Sequence, residues 1–321
     1  MARKSKLMTA KAAVAEFVHD GDILHYGFGT SFCPHALGYE LIRQGKKDLD
    51  VIGGTPGGNI HQLLIHTGLS VRARVGGGMP MRDGNRPGRA WERAEEGSFH
   101  FEDYTNLSCT LMLMAGALGI PFIPARTVLG TDFLKPENIA HAHGFLGENK
   151  LKVIEDPFSG RPLVALPAVR PGVTLWHAQR ADEQGNVQAW GVYGDGRWGL
   201  WAADRVIVSV EEIVPTSVVR SDPNRTILPS PRVSAIVHQP YGAFPGELPG
   251  YYASDGAVSR LRRDTIDDYL QEWVYGCADH NAFMQHYVEK FGWAWLQGFL
   301  PDQKRQPAET VDYGFRPIHG I

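Results

Sequence analysis

Three times in its first eighty residues this chain runs a short apolar segment into a cluster of glycines. Ile23 to Tyr26 meets Gly27-Phe28-Gly29, Leu49 to Ile52 meets Gly53-Gly54-Thr55-Pro56-Gly57-Gly58, and Val71 to Val75 meets Gly76-Gly77-Gly78. Helical spacing separates them: one helix from about Pro34 to Gln44, opened by proline and stopped by Gly45, and a second from about Ile60 to His66. Strand, glycine turn and helix in repetition predict an α/β fold, an open, mostly parallel doubly wound sheet with helices on both faces. In such a sheet the turns gather at the carboxyl ends of the strands and frame one ligand crevice.

The first turn is the most informative. Gly29, Thr30 and Ser31 offer a turn N–H and two hydroxyls, donors that suit a carboxylate or phosphate, and glycine lets the main chain approach a ligand closely. The spacing is neither G-x-G-x-x-G nor a Walker A loop, so a dinucleotide or a nucleoside triphosphate is poorly supported.

Further along, Thr9 to His19 reads as a short amphipathic helix capped by Thr9. Trp91 to Glu96 and Leu107 to Leu118 read as helices, the second apolar, methionine-rich and stopped by Gly119. Strands are expected at Pro121 to Leu129, Leu163 to Leu166, Val173 to Ala178, Val187 to Trp190, Arg205 to Val210 and Ala235 to Val237. The turn at Asp182-Glu183-Gln184-Gly185-Asn186 joins two of them as a hairpin. Residues 1–321 are read as one domain with a soft internal boundary near 130–171, where glycine and proline are frequent, and a helical C-terminal region over 264–300, in which apolar and aromatic residues recur at helical spacing from Ile266 to Phe291 and end at Gly292. The tail beyond Pro301 is expected to be extended and to pack on a partner.

Composition narrows the function classes. With 43% hydrophobic residues, 21% charged residues and a formal charge of −3, the chain lacks the basic footprint of a nucleic-acid or membrane-surface binder. No apolar run is long enough for a membrane span, and the basic N-terminus lacks the apolar core of a secretory signal. Three separated cysteines, Cys33, Cys109 and Cys277, suggest neither a disulfide framework nor a metal site, and a reducing cytoplasm is expected. Cys33 has no recognisable base partner and is read as a small apolar residue. His141 and His143 could share a strand face but lack a third ligand, so no metal is expected. The aromatic residues between Trp273 and Trp295 are read as core or subunit interface.

The first turn, with Asp20-Gly21 before it and Pro34 after it, resembles the signature of family I CoA-transferase α subunits, Tyr26 and Phe32 standing where two glycines are usual. The resemblance runs over nearly the whole chain and is strongest to the glutaconate type. It is carried in register by Leu7-Met8-Thr9, Val18-His19-Asp20-Gly21-Asp22, Leu41-Ile42-Arg43-Gln44-Gly45, Glu102-Asp103-Tyr104, Met114 to Phe122, Asp156-Pro157-Phe158, His177-Ala178-Gln179 and Pro240-Tyr241-Gly242-Ala243. It implies one half of a hetero-oligomer with a homologous β subunit, exchanging coenzyme A, as a substrate rather than a resident cofactor, between an acyl-CoA and a free carboxylic acid. It also implies a ping-pong route through a glutamyl-CoA thioester.

In that family type the nucleophilic glutamate belongs to the β subunit, so no catalytic residue is assigned to this chain. The resemblance gives the α subunit the acyl pocket, with Gly29, Thr30 and Ser31 as carboxylate contacts. Arg82 is a candidate bidentate clamp, and Glu102 is a candidate to orient substrate or meet the partner's catalytic residue, or else an acid placed at a helix entry by the dipole. Glu183-Gln184-Gly185, superficially like a catalytic E-x-G, is read as part of the hairpin turn. Ring-hydrolysing relatives use an acid near the start of the helix after Glu102; that position falls at Asn106 here, which disfavours hydrolysis. The alternatives are a CoA-thioester hydrolase or ring-cleaving enzyme on the same fold, and a non-catalytic subunit that stabilises its partner.

Overall fold

The computed structural model describes residues 5–29, 31–55, 59–76, 82–83, 86–259 and 265–300, so the expectation for the tail beyond Pro301 lies outside the described residues. Its strands, in chain order, are β1 (Ile23–Tyr26), β2 (Leu49–Gly53), β3 (Ser70–Val75), β4 (Arg82–Asp83), β5 (Arg86–Pro87), β6 (His100–Asp103), β7 (Phe122–Ala125), β8 (Lys152–Glu155), β9 (Pro162–Pro167), β10 (Val173–Ala181), β11 (Val187–Gln188), β12 (Arg205–Ile213), β13 (Thr226–Leu228) and β14 (Ala235–His238).

The main sheet is parallel in the order β6-β3-β2-β1-β10-β12-β14, with β11 paired antiparallel to the end of β10 and β13 antiparallel to β11. Leu24 pairs with Val173 and Tyr26 with Leu175, so β1 and β10 run side by side. From β1 the chain winds one way through β2, β3 and β6; from β10 it winds the other way through β12 and β14. The reversal falls between β1 and β10, and in open α/β sheets that is where the helices diverge and a crevice opens.

Each face carries its own core. Leu37 and Leu41 of the His35–Arg43 helix, Leu63 and Leu64 of the Ile60–His66 helix, and Val51, Leu175 and Val208 of the sheet lie in one cluster. Cys109, Met112 and Leu113 of the Asn106–Leu118 helix pack with Ile52, Val164, Leu166 and Ala202 in a second. That helix is capped at both ends: Thr105 Oγ1 accepts from Ser108 N at 3.0 Å, and Gly119, the expected stop, closes it at φ 71°. It lies hard against the chain leading into β10, since a Cβ on Gly116 would come 2.1 Å from Val169 O.

Two stretches differ from expectation. The segment predicted to be a long loop after residue 130 contains an unexpected strand, β8, which with the expected strand β9 joins β7 in a small antiparallel sheet, β7-β9-β8. Alternating burial along β9, with Val164 and Leu166 inward, is what a half-buried strand requires, whereas β8 is masked at sequence level by the surrounding glycines and prolines. The helical run expected from Ile266 to Phe291 is broken. A turn of helix at Ile266–Tyr269 passes into a π-helical stretch, Leu270–Tyr275, and a new helix starts at His280 with Asp279 accepting from Ala282 N at 2.9 Å.

Candidate functional site

At the carboxyl edge of the sheet the glycine turns are tied to one another. The turn after β1 is tight: Phe28 N donates to Ser31 O (3.1 Å), Ser31 N returns to Phe28 O (2.9 Å), and Gly27 and Gly29 take φ of 50° and 56°. Gly29 N donates to Thr55 O at 3.0 Å, joining the first turn to the second, and Gly76 N reaches Gly53 O at 3.3 Å, joining the third. Asp195, 2% exposed at the start of the Gly196–Ala202 helix, accepts from Gly54 N at 2.5 Å.

The Asn106–Leu118 helix begins against the same edge. Hydrogen-bond partners assign the Asn106 amide nitrogen to Gly54 O (2.5 Å) and Gly76 O (3.0 Å), while its oxygen accepts from Thr55 Oγ1 at 3.3 Å. Gly76 is required for this approach, because a Cβ there would lie 2.5 Å from both Asn106 N and Thr105 C. A Cβ on Gly29 would meet nothing within 4 Å, so that turn borders open space.

Ser31 stands at this opening, and its hydroxyl donates to Glu247 Oε1. The two residues also form an isolated parallel bridge, Ser31 to Glu247. Thr30 lies outside the described residues. Arg82 has its backbone in β4, paired with Pro87 of β5. The Gly29 N–H is already engaged by Thr55 O, which leaves the Ser31 hydroxyl as the described polar group of the predicted trio with a side chain at the opening.

Glu102 lies in β6, at the far side of the parallel set. It is fully buried, Oε1 accepting from Phe145 N (2.6 Å) and Leu146 N (2.7 Å) and Oε2 lying 3.4 Å from Lys150 Nζ, itself 1% exposed. The carboxylate thus holds the 143–146 segment along the sheet edge, where Phe101 N also donates to His143 O at 2.9 Å. Beside it a cavity of about 420 Å³ opens between Trp91, Phe101, Phe133 and His143. The structure therefore separates Glu102 from Ser31: β6 and β1 are three strands apart, about 14 Å at ordinary strand spacing.

His141 and His143 both pack on the Phe101 ring, at 5.2 and 5.8 Å between centroids, and His141 Nδ1 accepts from His143 N at 3.2 Å. Among the described residues no group of three His, Cys, Asp or Glu side chains could hold a metal. Cys33 is buried beneath the first turn, and burial pushes its thiol pKa up, which keeps it protonated and non-nucleophilic. Glu183 sits in the hairpin turn as expected, in a loop organised by Asp182 Oδ1, which accepts from Gln184 N (3.1 Å) and Asn186 N (2.9 Å).

The segment that carries Glu247 is anchored from below by buried polar groups. His177 on β10 bonds Ser209 Oγ (2.8 Å) through Nδ1 and Glu211 Oε1 (2.7 Å) through Nε2. Glu211 also accepts from the Tyr252 hydroxyl (2.7 Å) and from Tyr241 N (2.9 Å). Burial pushes the Glu211 carboxyl up, but the His177, Tyr241 and Tyr252 contacts outweigh it and hold its pKa below the ordinary carboxylate value. His35 Nδ1 donates to Ala243 O at 2.6 Å and His280 Nε2 to Tyr241 O at 2.7 Å. Above the network, His177 N donates to Phe32 O at 3.2 Å, so the glycine turn and the 239–247 segment share one support.

Glu247 and Asn106 gave no sign of their place from chemistry alone. Glu247 sits in Pro-Gly-Glu-Leu-Pro-Gly, where a lone acid reads as a solvated loop residue; only the bridge to Ser31 reveals it.

Comparison with known proteins places this edge in context. A family model described as Coenzyme A transferase matches residues 7–239. The chain is 33% identical over 293 residues to the A subunit of the 3-oxoadipate CoA-transferase of Pseudomonas knackmussii, covering 89% of this chain and 99% of that one. It is likewise 33% identical over 296 residues to the A subunit of the glutaconate CoA-transferase of Acidaminococcus fermentans, covering 87% and 91%. The crystal structure of the glutaconate coenzyme A-transferase from A. fermentans superposes with a TM-score of 0.77 at 29% identity, over 94% of this chain and 99% of that one.

Proposed function

The chain belongs to the coenzyme A transferase family, as an α subunit of family I type, and from that premise we propose that it pairs with a homologous β subunit to move coenzyme A between an acyl-CoA and a free carboxylic acid. The observation that carries the reading is the opening between β1 and β10, where the first glycine turn sets the Ser31 hydroxyl at the sheet's winding reversal.

In the proposed division of labour the partner supplies a glutamate. Its carboxylate attacks the acyl-CoA thioester carbonyl, giving an acyl-glutamyl anhydride and releasing CoA thiolate. The thiolate attacks the glutamyl carbonyl, releasing the first acid as its carboxylate and leaving a glutamyl-CoA thioester, and the second acid reverses both steps. A carboxylate nucleophile divides one hard exchange into easier ones, provided that water is excluded and the developing oxyanion is stabilised. This chain contributes the acid-binding side: Ser31 and Thr30 as hydroxyl donors, Gly29 as the open approach, and Arg82 as a charge clamp. Glu102 acts from β6 by holding the 143–146 segment. Three buried, unpaired cysteines suit a reducing cytoplasm.

Hydrolysis on the same fold is disfavoured at Asn106, where the amide donates to two backbone carbonyls and no acid stands. The test is to co-purify the chain with its β partner, incubate the complex with acyl-CoA, and reduce the trapped thioester with borohydride. The reduced glutamate is expected on the partner; finding it on this chain, or thioester turnover with no acceptor acid, overturns the reading. Ser31→Ala is expected to raise KM for the acceptor acid about tenfold, the scale of one hydrogen bond to a charged group, with KM for acyl-CoA little changed. Equal loss of both counts against the role given to Ser31.

A further inference from the structure

A serine hydroxyl has a single proton to donate, and in this structure Ser31 gives it to Glu247. We propose that Glu247 is a built-in stand-in for the substrate's carboxylate: it occupies the hydroxyl that an incoming acid needs, and the acid has to turn it aside to bind. The proposal rests on the reading of Ser31 as an acid contact and adds to it a residue that sets the apparent affinity for that acid.

The contact is placed by the backbone as well as by the side chains. The Ser31–Glu247 bridge aligns the two strands of chain, and the segment bearing Glu247 is pinned on both sides. Before it, Gly246 N donates to Ala243 O (2.8 Å), Ala36 N to Gly242 O (3.0 Å) and Ala243 N to the Tyr252 hydroxyl (3.1 Å). After it, Leu248 N donates to Tyr252 O (3.0 Å) and the Gln179 amide to Pro249 O (3.1 Å). Displacement of Glu247 is therefore a rotation of one half-buried side chain rather than a movement of the loop.

Charge makes the competition direct. Among the described residues no ion pair involves Glu247, and a second carboxylate at Ser31 meets its like charge as well as an occupied donor. A neutral group, such as a thioester carbonyl, meets only the occupied donor. The pair consequently penalises the free acid more than the acyl-CoA, and rotation of Glu247 away from Ser31 removes that penalty when the acid is in place.

The experiment is steady-state kinetics of the reconstituted complex with glutaconate, 3-oxoadipate and acetate as acceptor acids, for Glu247→Ala, Glu247→Gln, Ser31→Ala and the Ser31→Ala/Glu247→Ala double variant. Glu247→Ala is expected to lower KM for the accepted acid by about three- to tenfold, with KM for acyl-CoA unchanged, as befits one freed hydrogen bond. Glu247→Gln, neutral but still an acceptor, is expected in between. In the Ser31→Ala background the Glu247→Ala substitution is expected to have a smaller effect, that of the like charge alone. If Glu247→Ala leaves the acid KM unchanged or raises it while Ser31→Ala raises it, the stand-in is wrong and Glu247 merely supports Ser31. If Ser31→Ala leaves the acid KM unchanged, the reading of Ser31 itself fails. Thermal midpoints of the four complexes, expected to agree, separate these outcomes from misfolding.

Discussion

Glu102 shows how a residue conspicuous in the sequence acquires its meaning only from its neighbours. An acid just ahead of a helix invites a substrate role, but its carboxylate is enclosed with Lys150 and two backbone N–H groups, three strands from Ser31. A buried pair of this kind gives up most of its Coulombic gain to desolvation, whereas removing one partner leaves an uncompensated charge. Lys150→Met alone is therefore expected to destabilise the chain by about 3–5 kcal/mol, and Glu102→Leu/Lys150→Met to recover part of that loss, both read from urea unfolding. Ser31 was legible because a hydroxyl beside two glycines at a strand end is a recognisable donor. Glu247 was not, since nothing within its own stretch says that residue 247 will lie beside residue 31.

Among the elements, the 239–247 segment depends on imidazoles that must stay neutral. Burial lowers His35 to about 4 and His280 to about 3, from an ordinary 6.5, and each donates to a carbonyl of that segment. The unfolded chain binds these protons below pH 6.5 while the folded chain refuses them, so stability falls with acidity across the interval from 6.5 to about 4 for His35 and on to about 3 for His280. Urea midpoints measured from pH 7.5 down to 4.5 are expected to decline steadily, and His35→Gln to flatten the slope. The same scale shows where sequence patterns mislead. A run of aromatic residues at helical spacing predicts one helix through residue 291, yet the chain takes a π-helical stretch before a new helix starts at His280. Periodicity reports which residues face the core, and a break that preserves the facing leaves no trace in it. β8 was hidden for the opposite reason: turn residues dominate the composition around it, and the strand is only four residues long.

For the molecule as a whole, topology decides where chemistry can happen. Repeated strand–glycine–helix units foretold a parallel sheet, since each unit constrains its own handedness and the glycines mark one edge. What they could not foretell is the point of reversal. That β10, far along the chain, inserts beside β1 is a long-range pairing, and it is this pairing that makes the first glycine turn, rather than the second or third, the border of the crevice. The family match and the superposition agree with the architecture so derived.

The amide of Asn106 has an evolutionary consequence. It fastens two strand ends by donating to Gly54 O and Gly76 O, at the place where the resemblance puts the acid of ring-hydrolysing relatives. Asparagine and aspartate differ by a single codon step, so the exchange is within easy mutational reach, yet an aspartate would turn a carboxylate oxygen toward two carbonyl oxygens. Asn106→Asp is expected to lower the melting temperature and transferase turnover without gaining thioester hydrolysis, as differential scanning fluorimetry and acyl-CoA consumption without acceptor acid will show. A lineage leaving one chemistry for the other must therefore first rebuild the glycine turns, and the apparent neighbour in sequence space lies across a valley.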